Sequence, residues 1–232
     1  MKFAPERTQY SIVLVGNFNP AMFQPEWFGK NEIISPEEID VARNQKIKDS
    51  LIVSPQLTLF KTSQFNIRVE QNRFEVISEK DPLVSIIDFV SKTFNYLGGF
   101  DIKAFGFNFS AHYKIVDKEI YQRIADNLAP KKFWKTLLKD EITGIDRKSG
   151  LAAIQMQKTK ENLKGYYNVI LQPSAFVHPG VFMSCNDHSE QQQDSYSAEE
   201  AVEIIISSYK DSFAFMRKIQ IDVLDEAMKG NG

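Results

Sequence analysis

Residues 101–115 read DIKAFGFNFSAHYKI, and this stretch decides the fold class. Phe105, Phe107, Phe109, Ala111, Tyr113 and Ile115 fall on one side of a period-two pattern, while Gly106, Asn108, Ser110, His112 and Lys114 fall on the other. A strand with one dry and one wet face belongs to an antiparallel sheet open to solvent on one side. The three phenylalanines are expected in the core, and Asn108, Ser110 and His112 become candidate residues of a ligand or partner groove on the opposite face.

On the N-terminal side, Leu57–Lys61, Phe65–Glu70 and Arg73–Ser78 are rich in β-branched and aromatic residues, with Gln71-Asn72 as a two-residue hairpin turn. Ser11–Phe18 reads as a further strand. It leads into a proline-punctuated aromatic segment, Phe23–Phe28, whose Trp27 and Phe28 either tuck into the core or anchor a partner. Ser35-Pro36-Glu37-Glu38 caps a short helix running to about Asp49, and Asp81-Pro82 opens a helix that ends at Gly98-Gly99.

Toward the C-terminus, Asp117 caps a helix through Leu128, and Lys131–Leu138 follows the break at Pro130. Strands are expected at Glu141–Asp146, Leu151–Lys158, Tyr166–Gln172 and Val181–Asp187, with a turn at Lys148-Ser149-Gly150. Ser197 and Glu200 form a capping box ahead of a helix from about Ala198 to about Met228, uninterrupted by Gly or Pro. Its apolar stripe is Val202, Ile205, Tyr209, Phe213, Met216, Ile219 and Val223. The last turns either lie along the sheet or pack on a second copy or partner chain.

Runs of strands joined by short turns, with helices between the runs, predict an α+β fold of antiparallel sheet, packed helices and a long C-terminal helix. No low-complexity linker divides the chain, so one domain over 1–232 is expected. Strands followed by a helix occur twice, which suggests two related halves, 1–115 and 116–232.

The bulk numbers narrow the function classes. In 232 residues, 28 Lys plus Arg oppose 30 Asp plus Glu, so no general cationic field exists to attract nucleic acid or anionic lipid. The short basic-aromatic run Lys131-Lys132, Trp134-Lys135 and Lys139 is offset by Asp140-Glu141. No apolar run approaches the ~20 residues that cross a bilayer, so no membrane partnership is expected. The single cysteine excludes an intrachain disulfide framework, and the N-terminus carries no long apolar leader, so a cytoplasmic setting is the expectation. Eighteen Phe against eight Tyr favour a greasy core or a Phe-lined cavity for a small apolar ligand.

Phosphate-binding glycine motifs, the G-x-S-x-G elbow, H-E-x-x-H and C-x-x-C are all absent. One tract gathers reactive side chains: VHPGVFMSCNDHSE holds His178, Cys185, Asp187 and His188 within eleven positions. These residue types can ligate zinc, and a histidine can activate a cysteine. The spacing argues against both, because Cys185 and Asp187 share one strand face while His188 begins a loop. No cofactor and no metal site follow from the sequence.

The segments FNPAMFQPEWF, FDIKAFGFNFSAHYKI, YYNVILQPSAF and DHSEQQQDSYSAEEAVEIIISSYKDSFAF together resemble a sporadically distributed family of uncharacterised bacterial proteins of about this size. The patchy occurrence of that family looks like that of proteins carried by mobile or defence-related gene clusters. The resemblance implies no known activity and no residue roles. A non-catalytic binding or adaptor protein acting through protein contacts, in a bacterial defence or stress system, is therefore the leading expectation. A binder of a small apolar ligand stands second, and a metal- or cysteine-dependent enzyme using the 178–188 tract third.

Overall fold

The computed structural model of the protein describes every residue except 1–2, 45–50, 81–82, 98, 139–144, 146–149, 161–163, 191–194 and 230–232. The expected cap at Asp81-Pro82, the Gly98 stop, the turn at 148–149 and all but Ile145 of the strand at 141–146 lie outside the described residues.

The chain is α+β. Strand β1 (Pro5–Gly16) passes through two short helices, α1 (Pro25–Lys30) and α2 (Pro36–Arg43). It returns as the antiparallel run β2 (Ile52–Val53), β3 (Leu57–Lys61), β4 (Asn66–Glu70) and β5 (Arg73–Ser78), and closes with α3 (Val84–Tyr96). The second set follows the same plan. Strand β6 (Asp101–Lys114) leads through α4 (Lys118–Leu128) and α5 (Lys131–Leu138) to β7 (Ile154–Thr159), β8 (Gly165–Pro173), β9 (Gly180–Glu190) and the short β10 (Tyr196–Ser197), and α6 (Ala198–Lys229) ends it.

The sheet order is β2-β3-β4-β5-β1-β6-β9-β8-β7, with β10 added on β6. From the centre outward, β1, β5, β4 and β3 on one side correspond to β6, β9, β8 and β7 on the other. The two long strands pair with each other, antiparallel, across the middle. This topological division falls near residue 100, so β6 opens the second set, whereas the halves expected at 1–115 and 116–232 placed it in the first.

One face of the sheet carries the core. Tyr10, Ile12 and Leu14 of β1, Ile67 and Val69 of β4, Phe74 and Val76 of β5, Phe105, Phe107 and Phe109 of β6, and Val181, Met183 and Cys185 of β9 all point to it and are buried. Burying each large apolar side chain contributes about 1.5–3 kcal/mol. Helix α3 covers the N-terminal strands with Ile86, Ile87, Phe89, Val90 and Phe94, and α6 covers β6 and β9. The aromatic segment packs into this layer: Phe28 sits against Phe60 at 5.7 Å and Phe89 at 5.2 Å between ring centroids, and Phe23 meets Trp27 and Phe74.

The caps act as the side-chain chemistry requires. Asp117 accepts from the backbone N–H groups of Glu119 and Ile120. Ser197 Oγ accepts from Glu200 N at 3.2 Å while Glu200 Oε2 accepts from Ser197 N at 2.9 Å, a reciprocal capping box. At α2 only half of the expected box forms: Ser35 accepts from Glu38 N, but the Glu38 carboxylate turns to the backbone and hydroxyl of Ser63.

The buried stripe of α6 follows Val202, Ile205, Tyr209, Phe213 and Met216 as expected, then shifts to Gln220, Leu224, Ala227 and Met228. Ile219 and Val223 are only partly buried. A straight helix of 3.6 residues per turn drifts away from a fixed seven-residue repeat, and the stripe drifts with it. The last turns are covered from within the chain by α4, where Asn127 Nδ2 donates to Ala227 O at 2.6 Å. No described helix is long and apolar enough to cross a membrane.

Candidate functional site on the open sheet face

The helices stack on one face of the sheet, and the opposite face presents the alternate residues of each strand. Cross-strand register on β1, β6, β9 and β8 arranges these in four rows. They are Arg7–His112–Phe182–Gln172, Gln9–Ser110–Ser184–Ile170, Ser11–Asn108–Asn186–Asn168 and Val13–Gly106–His188–Tyr166. Among these sixteen positions Arg7 is the only Lys, Arg, Asp or Glu, although such residues make up 25% of the chain. The neighbouring strands β4 and β5 differ: their share of the same face carries Arg68, Glu70, Arg73 and Glu75 as ion pairs.

The third row is a hydrogen-bonded ladder. Asn186 Nδ2 donates to Asn108 Oδ1 at 2.8 Å, and Asn108 Nδ2 donates to Ser11 Oγ at 3.1 Å. On the outer strand, Gln155 Nε2 donates to Asn168 Oδ1 at 2.9 Å. Gly106 leaves room for the ladder, because a Cβ there would stand 3.1 Å from Asn186 Nδ2. One end of the plate is closed by Tyr166 stacked on His188, with ring centroids 4.6 Å apart. At the other end the 173–180 loop brings Phe176 beside His112, whose Nδ1 lies 2.8 Å from Ser174 Oγ. Burial, with help from the Arg7 charge, holds the His112 pKa below its ordinary value, so its ring is neutral at physiological pH.

A cavity of about 390 Å³ lies on the helix side, between α6 and β6, β8 and β9. Phe105, Phe107, Tyr167, Tyr196, Ile204 and Phe215 give it apolar walls. Its polar corner is a buried ion pair, Lys160 with Asp187, whose side chains are 5% and 10% exposed. Asp187 Oδ2 accepts from Ser212 Oγ at 2.6 Å, and Lys160 Nζ donates to Ser189 Oγ at 2.9 Å. Asp187 Oδ1 accepts no hydrogen bond of normal geometry and meets only the Lys160 ammonium.

Of the residues expected to bind, Asn108 and Ser110 stand half-buried on this face, and His112 beside them is buried at 8% exposure against Phe176 and Phe182. Phe28 does not belong to a binding surface: it is fully buried among Phe23, Phe60 and Phe89, because an aromatic this large gains more from the core than from a loop. Trp27 is partly buried beside it. The 178–188 tract is split by the pleat. Cys185 and Asp187 point into the helix layer, His188 points to the open face, since β9 runs on to Glu190, and His178 is exposed in the loop. Burial pushes the Cys185 thiol up to about 11, which keeps it protonated and poorly nucleophilic. Among the described residues no three His, Cys, Asp or Glu side chains are placed to hold a metal ion.

Gln9, Ser11, Asn168, Ser184, Asn186 and Gln172 join the site without having been singled out in the sequence. Most alternate with apolar neighbours, but only the register between strands far apart in sequence shows that they share one face. No family model matches the chain, and no curated relative matches it.

Proposed function

We propose that this protein is a non-catalytic binding or adaptor protein that docks a partner polypeptide on the open face of β1, β6, β9 and β8. The observation that carries this reading is the scarcity of charge in the four central rows, where Arg7 is the one charged residue; the next row brings in Glu190, which bonds His188 at 3.2 Å. Depletion of charged residues with retention of aromatic ones is the compositional mark of the buried centre of a protein interface. Tyr166, Phe176 and Phe182 supply aromatic anchors at both ends, and the asparagine ladder supplies hydrogen bonds already held in place. A role within a bacterial defence or stress system, in the cytoplasm, rests on the family resemblance and on the chain's composition.

Inserting a charge tests the reading. Ser184→Arg and Asn168→Arg place a guanidinium on the plate without touching the core, so the fold should persist by circular dichroism while a stoichiometric partner no longer co-purifies from the native host. Retention of the partner by both variants would defeat the reading.

The cavity beneath α6 favours a second reading, that of a small, mainly apolar ligand. Its volume falls in the range of roughly 300–1,000 Å³ typical of small-molecule sites, and a few polar groups converge on an apolar wall. Mass spectrometry of gently purified protein under native conditions would show such a ligand as a discrete added mass, lost in Phe107→Trp.

A further inference from the structure

A second cavity, of about 270 Å³, opens at the His112 end of the plate, bounded by Arg7, Gln9, Ser110, Gln172, Phe176 and Phe182. Its hydrogen-bonding state can be worked out atom by atom. Ser174 Oγ accepts two backbone N–H groups, from Phe176 at 3.1 Å and Val177 at 3.0 Å, so its own proton is free for His112 Nδ1. His112 then carries its remaining proton on Nε2, as a donor for which no described residue is the acceptor. The side chains of Gln9, Ser110 and Gln172 likewise make no hydrogen bond to any described residue. Arg7 is the one charged residue of the lining; it is ion-paired with Glu79 at 2.5 Å and lies over the Phe176 ring at 4.4 Å.

Four polar groups with no partner among the described residues, none of them charged, therefore converge beside two phenylalanines, one of which is 64% exposed. We infer that this pocket binds a small, uncharged, planar heterocycle of the nucleobase class, as the free base or nucleoside. Each carboxamide of Gln9 and Gln172 offers an adjacent donor and acceptor, which is the complement of an amide-like base edge. The aromatic rings offer a flat apolar surface for stacking, which serves any base. A phosphate would have to compete with Glu79 for Arg7, the one cation of the lining, and would find no second one. A metal ion would find a single histidine whose Nδ1 is occupied. The inference stands apart from partner docking, because it concerns a ligand bound by the isolated protein.

Saturation-transfer NMR and calorimetry on the full chain, with adenine, cytosine, uracil and adenosine as probes, test it directly. N-acetylglucosamine serves as the rival neutral ligand and AMP as the charged one. At least one base or its nucleoside should bind saturably, AMP no more tightly than adenosine. Gln9→Leu and Gln172→Leu should each weaken binding about tenfold, the effect of one lost hydrogen bond left unreplaced. Ser110→Val gives an independent check on a third wall, and Arg68→Gln, on the ion-paired half of the face and outside the pocket lining, should leave binding unchanged. Binding of the sugar alone, absence of binding by every base at millimolar concentration, or base binding indifferent to all three wall substitutions would each overturn the inference.

Discussion

Gln220 sits in the middle of the α6–sheet contact with no exposed surface, and replacing it by leucine tests how that contact is held. Its carboxamide Oε1 accepts from the Tyr113 hydroxyl at 2.9 Å, and its Nε2 donates to Phe109 O at 3.1 Å and Met183 O at 3.3 Å. The side chain thus ties α6 to both β6 and β9. Leucine has a similar volume and no polar atoms, so Gln220→Leu leaves the Tyr113 hydroxyl buried without an acceptor. An orphaned buried hydroxyl costs about 1–3 kcal/mol, and the two carbonyls add a further share, partly offset by the more favourable burial of leucine. A net loss of about 2–4 kcal/mol follows. At roughly 2–4 °C per kcal/mol for a chain of this size, Tm should drop by about 4–16 °C. The double variant Tyr113→Phe, Gln220→Leu removes both ends of the bond and should recover part of that loss, with a coupling of about 1–2 kcal/mol in a double-mutant cycle. Urea unfolding followed by circular dichroism measures all four stabilities. A Gln220→Leu variant as stable as the parent, or strictly additive single effects, would show that this bond does not hold the layers together.

Phe107→Ala should lower unfolding free energy by about 3–5 kcal/mol, because a buried ring that meets Phe105 and Phe213 leaves a cavity behind; an unchanged denaturation midpoint would remove it from the core. Truncation after Lys218 should unfold the monomer instead of merely releasing a dimer, since Leu224, Ala227 and Met228 are buried within the chain; a folded truncated monomer by size exclusion would contradict this. Cys185 should resist alkylation by iodoacetamide at pH 8 until denaturant is added. Its thiol is held protonated to about pH 11, against an ordinary value of 9.0, so between these values the folded state keeps a proton that the unfolded state has lost. Stability from this group is therefore complete below pH 9 and falls as pH rises toward 11, which a pH series of urea midpoints would show or refute.

The alternation of 101–115 is sufficient to place the phenylalanine stripe and the residues of the opposite face, because a single strand decides which residues share its faces; it does not show that Gly106 and His112 are buried there. Capping chemistry was equally local, so Ser197 with Glu200 and Asp117 marked their helices. What could not be read was pairing. Nothing in the residues near Gln9 or Asn186 says that β1 and β9 flank β6, so the ladder from Ser11 through Asn108 to Asn186 was invisible as a unit. The α6 stripe failed for a related reason: Gln220 looks like a surface residue until Tyr113 and the carbonyls of two strands are set around it. The cavity beneath α6 depends on Lys160, a lysine on the outer hairpin. Its burial beside Asp187 reflects the register of β8 on β9 rather than any local pattern.

The most direct test of partner docking is site-specific photo-crosslinking in the native host. A benzophenone amino acid at Ser184, in the centre of the neutral rows, should yield one discrete adduct, with a mass of twice the chain if the partner is a second copy. The same group at Arg68, on the ion-paired half of the same face, should yield none. Absence of any adduct from Ser184, or an equal adduct from Arg68, would contradict the assignment of the neutral half as the docking surface.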